Sequence, residues 1–339
     1  MITSMNYKNI GPLIINIDGI KLSDSEKGLI KNKLIGGIIL FSHNYVSRTQ
    51  LESLILDIKS IKDNLLVSID HEGGRVQRII DQFTHLPSFT SISNIKDTDK
   101  KLTESYNAGF VGASELSEIS IDVNYSPVID IFHDKNNILL EDRTFGSDPN
   151  EIILLADTYI KGCLDGGILP VLKHFPGHGR VKADSHTEDC VSNIDLDTLM
   201  ETDILPFKIL HKKYSKNNLP IMTNHIIYPK VDEIITTYSK QWLTNVSSSI
   251  FDTRPFFISD DIEMHAAKKV DGKNISCEER ILRALNAGCR MIIITTMQNR
   301  EIIANNESYK YFEKNCFTKN IIEHYEKNHD KMDDVILPR

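Results

Sequence analysis

Positive charge is in short supply in this 339-residue chain: 39 lysines and arginines stand against 47 aspartates and glutamates, a formal net charge of −8. A surface of that sign argues against nucleic acid or an anionic membrane as the main partner. No apolar run approaches the roughly 18 residues needed to cross a bilayer. The opening stretch, "MITSMNYKNIGPLIINIDG", has no charged start followed by a long apolar segment, so no signal peptide is expected. Cysteine is sparse as well. Cys163, Cys190, Cys277, Cys289 and Cys316 are scattered, odd in number and lack a CxxC pair. That spacing argues against a disulfide framework and suits free thiols in a reducing cytoplasm. There is no proline-serine linker, composition break or internal repeat, which points to one domain.

What is present is enough hydrophobic sequence for a large core, 40% of residues, with 25% charged. It falls in eight short apolar runs bounded by turn or polar residues: "PLIINID" (12–18), "GGIILF" (36–41), "LLVSID" (65–70), "ISIDVNYSPVID" (119–130), "ILPVLKHF" (168–175), "LPIMTNHI" (219–226), "PFFISDD" (255–261) and "CRMIIITT" (289–296). Helical patterns fill most of the gaps, as in 47–64 and 150–167. The second of these opens behind Asp148-Pro149 and closes on Gly166-Gly167, proper start and stop signals. Strands of continuous rather than alternating hydrophobicity, alternating with helices, predict a parallel sheet covered on both faces. Eight such units predict an α/β fold, a single-domain (β/α)8 TIM barrel. The tail, 328–339, carries little pattern.

Many of the runs end on chemically capable residues: Asp18, Asp70, Lys173-His174, Asn224-His225 and Asp260-Asp261. Barrel enzymes build their active sites at that end. Asp18, followed by Gly19, reads better as a turn former; Asp70 and Lys173 begin no obvious tight turn.

The stretch "KHFPGHGRVKADSH" (173–186) leaves its strand on a lysine and a histidine and cannot be helix, because Pro176, Gly177 and Gly179 interrupt it. It reads as a shaped loop carrying titratable groups, with Gly177 and Gly179 expected to let it swing. Asp184 and His186 lie two apart, so in an extended loop they share a face. A carboxylate on one imidazole nitrogen would fix the tautomer and aim the other at a substrate. Asp70, followed by Arg75 and Arg78, and Arg143 on "EDRTFG" offer acceptors and donors suited to vicinal hydroxyls. Arg75 is expected to make a surface ion pair instead.

In their order along the chain, "IDHEGGRVQR", "SPVIDI", "DRTFG", "KHFPGHG…DSH", "MTNHIIYP" and "ISDDIEM" resemble the successive signatures of glycoside hydrolase family 3, over about residues 10–300. The resemblance is narrowest to the single-domain bacterial β-N-acetylglucosaminidases of cell-wall recycling. It implies a TIM barrel, no cofactor, no metal, and a GlcNAc-containing muropeptide as substrate for a cytoplasmic monomer. It also implies Asp260 as nucleophile with Asp261 a bystander, His186 as general acid/base oriented by Asp184, and Asp70, Arg78, Arg143, Lys173 and His174 as sugar-binding residues. His265, after the Asp260 motif, departs from the family pattern.

Three other readings compete. A metal-dependent hydrolase on the same barrel would take ligands from His174, Asp184, His186 and His225, since neutral imidazole and carboxylate suit zinc. A Schiff-base lyase would use Lys173. A non-catalytic muropeptide sensor would keep the pocket without the chemistry.

Overall fold

The computed structural model describes residues 10–134, 137, 140–181, 188–217 and 219–296. Eight strand positions follow one another along it: β1 (Leu13–Asn16), β2 (Ile35–Leu40), β3 (Leu66–Ile69), β4 (Val123–Asn124), β5 (Leu169–Pro170 continued as Leu172–Phe175), β6 (Ile221–Thr223), β7 (Phe257–Ser259) and β8 (Cys289–Ile294). Each coincides with one of the eight apolar runs. Pairing is parallel throughout.

Closure is visible in the strand order. It runs from the first half of β5 through β4, β3, β2, β1, β8, β7 and β6 to the second half of β5. Both ends of the sheet are therefore the same strand, interrupted at Val171. The Val171 amide turns to the Asn124 and Ser126 carbonyls at 3.1 and 3.0 Å, and a bridge between Val128 and Lys173 continues the seam. The chain folds as a (β/α)8 barrel. Isoleucine-rich strands explain this: β1, β2 and the last four residues of β8 are buried over their whole length, so each needs cover on both faces.

The helices begin where local chemistry starts them. Arg48–Ile61 is capped by Ser47, Thr98–Glu118 by Asp97, and Cys277–Ala287 by Ser276. Pro149–Asp165 opens on the Asp148 cap with proline in its first turn and ends at Gly166, as expected from its sequence. These helices alternate with the strands around the barrel.

One aromatic cluster fixes β5. Phe175, fully buried, meets Phe207 and Phe257 at 5.5 Å between ring centroids and Trp242 at 6.1 Å. Burying aromatic rings on this scale stabilises by several kcal/mol in total, and the cluster anchors the strand end that carries Lys173 and His174.

Candidate active site

Five charged side chains join at the carboxyl ends of β3 and β5 and the loop after β4. Lys173 Nζ lies 2.9 Å from Asp70 Oδ1 and 2.7 Å from Glu72 Oε1. Arg143 grips Glu72 with two N–H groups, Nε to Oε2 at 2.9 Å and Nη2 to Oε1 at 2.7 Å. Arg78 Nη2 reaches Asp70 Oδ2 at 3.3 Å and stands over the Phe41 ring. Burial alone would push the Asp70 and Glu72 carboxyls up, but the facing cations more than offset it and hold both low. Burial likewise works against the charges of Lys173 and Arg143, and the two carboxylates raise both. The network is therefore ionised at neutral pH. Arg78, Asp70 and Arg143 retain partial exposure at the mouth, whereas Lys173 and Glu72 do not.

A second group lies beside it. Asp130 accepts from His174 Nδ1 at 2.7 Å and from the His174 and His178 amides at 3.1 and 2.8 Å. Burial opposes its charge, and the His174 contact holds the carboxyl low. Burial lowers His178 to about 4, so that ring is neutral. Asn224 Nδ2 donates to the His174 and Gly177 carbonyls, and the Tyr228 hydroxyl donates to Gly177 O at 2.6 Å. The root of the 173–181 loop is thus tied to the end of β6.

Gly177 and Gly179 both sit in close quarters at the loop root. A Cβ on Gly177, at φ +132°, would stand 2.7 Å from the Asp203 Cβ, and one on Gly179 would stand 1.6 Å from Ile131 O. Both glycines allow close packing of the loop root. Asp203, beneath it, is paired with Arg180 at 2.8 Å and His133 at 2.9 Å. The stretch expected to swing on them, 182–187, lies outside the described residues.

At the end of β7, the Asp260 amide donates to Thr223 O at 3.2 Å, and Asp260 Oδ1 accepts the Asp261 amide at 2.8 Å. Its charge is felt by Tyr125 and His178; that of Asp70 is felt by Tyr125 and Arg143. Asp260, the Asp70 network and the Asp130 group therefore share one barrel mouth.

A family model described as the glycosyl hydrolase family 3 N-terminal domain matches residues 7–322. The chain belongs to glycosyl hydrolase family 3. A beta-hexosaminidase of Psychromonas ingrahamii is 37% identical over 283 residues, covering 83% of this chain and 82% of the relative. NagZ from Neisseria gonorrhoeae, solved in complex with N-trifluoroacetyl-D-glucosamine, matches at a TM-score of 0.79 and 30% identity, covering 95% of this chain and 97% of that one. The same protein solved in complex with zinc ion matches at a TM-score of 0.78 and 29% identity, with 95% and 97% covered.

Against the family 3 expectations, the structure brings Asp70, Arg78, Arg143 and Lys173 into one network and sets His174 next to it through Asp130. Asp260 ends β7 at the same mouth. Asp184 and His186 lie outside the described residues. Arg75 pairs with Asp142 at 2.7 Å on the surface, as expected for it. His225 has both ring nitrogens engaged, Nδ1 with the Thr237 hydroxyl and Nε2 with Asp261 O, which takes it out of the zinc-ligand set weighed above. Among the described residues there is no group of three or more His, Cys, Asp or Glu side chains able to hold a metal.

Two central residues escaped sequence reasoning. Glu72 sits two positions after Asp70, and that period-two spacing was its signal. Asp130, last residue of the run 119–130, was as visible as Asp70 and went unremarked.

Proposed function

We propose that this family 3 protein is a retaining exo-β-N-acetylglucosaminidase that removes terminal, non-reducing β-linked GlcNAc from peptidoglycan fragments such as GlcNAc-anhydroMurNAc and its peptides. The observation that supports it most is the position of Asp260: a carboxylate at the end of β7 with one oxygen held by the Asp261 amide, in the same mouth as the Asp70–Lys173–Arg78 network. The beta-hexosaminidase relatives and the glucosamine-derivative complex of NagZ support the sugar class.

In this reading Asp70, with Arg78 and Arg143 around it, presents an acceptor and several donors to adjacent hydroxyls, and Lys173 and His174 complete the grip. Asp260 attacks the anomeric carbon as His186, an imidazolium oriented by Asp184, gives its proton to the departing glycosidic oxygen. The C1–oxygen bond breaks and a glycosyl ester on Asp260 forms. Neutral His186 then takes a proton from water, whose oxygen bonds to C1 as the ester breaks, and two inversions give retention. Histidine, with an ordinary pKa near 6.5, can act in both directions around neutrality. Because the neutral imidazole does not repel anions, transfer to phosphate is the variant of the second step to be tested by product analysis in phosphate buffer.

The chain acts in the cytoplasm as a monomer in this proposal. Support for that compartment comes from Cys163, Cys190, Cys277 and Cys289, all buried as free thiols. Burial pushes Cys163, Cys277 and Cys289 up to about 12, leaving them inert.

Release of the chromophore from an aryl N-acetyl-β-glucosaminide tests the whole reading. It is expected in the native chain, undiminished by a chelator, and abolished in Asp260→Ala. Full activity in that variant would refute it; loss of activity on chelation would favour the metal-dependent hydrolase.

A further inference from the structure

Asp261, which sequence reading left as a bystander, is bonded through every polar atom it has. Its amide donates to Asp260 Oδ1 at 2.8 Å. Its carbonyl accepts from His225 Nε2 and from the Met264 amide, both at 3.0 Å. Its Oδ1 accepts the Glu263 amide at 3.0 Å, and its Oδ2 accepts the Thr295 hydroxyl. The residue after it is tied just as firmly: the Ile262 amide donates to Ile293 O on β8 at 3.1 Å, and Ile262 O accepts from Arg280 at 2.8 Å. Arg280 in turn pairs with buried Glu263 at 3.0 Å. The turn that presents Asp260 is thus pinned from β6, from β8 and from helix Cys277–Ala287.

We propose that Asp261 is a positioning residue for Asp260: the Thr295 hydroxyl and the Glu263 amide lock its carboxyl, and so aim the backbone N–H that orients the attacking carboxylate. This rests on the reading of Asp260 as nucleophile. The Asp261 N–H on Oδ1 sets the direction in which the carboxylate is presented, and a displacement of about 1 Å from that direction costs roughly 10²-fold in rate. The bond forms to backbone, so substitution of the side chain leaves the N–H in place and frees its direction.

Asp261 is also a carboxyl that burial pushes up to about 6. The titratable and charged groups facing it are Asp260 on the same strand end, Glu263 in its own turn, His225 just after β6, and Cys277 and Arg280 on the following helix. In mild acid it is neutral, a state that asparagine reproduces in shape and charge.

Steady-state kinetics on an aryl N-acetyl-β-glucosaminide at pH 5 and pH 7.5, with thermal melts, test the proposal in Asp261→Ala, Asp261→Asn, Thr295→Val and Asp260→Ala. The expectation is a kcat lower by roughly 10–10²-fold in Asp261→Ala, a smaller loss in Thr295→Val, KM within about twofold in both, and recovery of most of the loss by Asp261→Asn at pH 5. Native kcat in a folded Asp261→Ala alongside an inactive Asp260→Ala overturns the proposal and spares the assignment of Asp260. If Asp261→Ala fails to melt cooperatively, native kcat in Thr295→Val overturns it instead. An active Asp260→Ala overturns the underlying reading.

Discussion

Lys173 Nζ stands 2.7 Å from Glu72 Oε1 with each side chain only 2% exposed, and neither charge has water to fall back on. Removing one partner of a buried pair leaves the other uncompensated, at a cost of about 3–5 kcal/mol. Here Glu72 also holds Arg143, so its loss takes a buried carboxylate from two cations at once, although Asp70 still faces Lys173. Glu72→Gln is therefore expected to lower stability to denaturant by about that amount and to raise KM for an aryl GlcNAc substrate by releasing Arg143. Urea titration and steady-state kinetics check the two effects separately.

Two glycine substitutions should move stability in opposite directions. In Gly179→Ala the new Cβ would meet Ile131 O at 1.6 Å, so the loop root must shift and the melting midpoint should drop by many degrees. Gly28 lies in helix Asp24–Ile30 with nothing within 4 Å of an added methyl, and Gly28→Ala should gain about 0.5–1 kcal/mol. Differential scanning calorimetry of both variants decides it.

Acid should weaken the loop root through Asp203. Burial pushes this carboxyl up, but His133 and Arg180 more than offset that and hold it below its ordinary value. A depressed carboxyl contributes stability that is present above its unfolded pKa, near 4, and is lost as pH falls through the folded value. Asp203→Asn should therefore be less stable than the native chain at pH 7 and approach it below about pH 4. Trp242, the single tryptophan, is buried against Phe175 and Tyr228, so its fluorescence follows unfolding at each pH.

Asp261 should show the opposite sign. Its folded value of about 6 exceeds the ordinary carboxylate value, so the folded chain binds the extra proton and stability falls as pH rises between about 4 and 6. Asp261→Asn removes that loss and should gain on the native chain by on the order of 2–3 kcal/mol between pH 4 and pH 7. Equal pH slopes for the two proteins would contradict it.

The barrel was legible because hydrophobicity alone specifies it: a parallel strand covered on both faces needs a continuous apolar run, and all eight runs are strands. Their ends were overestimated. The run 119–130 is regular strand only at Val123–Asn124: Pro127 cannot donate to a ladder, and beyond it only the single Val128–Lys173 bridge keeps the pairing. Charged site residues were legible where they end a strand, as with Asp70, Lys173 and Asp260. Glu72 and Asp130 were not singled out, since their importance lies in the partners the barrel brings to them from far along the chain, Lys173 to Glu72 and His174 to Asp130. Gly177 and Gly179 follow the same pattern: a sequence shows that glycine is allowed, and neighbours such as Ile131 and Asp203 show why it is required there.

The most direct test of the central claim is to trap the glycosyl-enzyme with a 5-fluoro-N-acetylglucosaminyl fluoride and map the adduct by peptide mass spectrometry. The proposal predicts one sugar, esterified to Asp260, on the peptide containing "ISDDIEM". An adduct on any other residue, or turnover with inversion and no adduct at all, would contradict it.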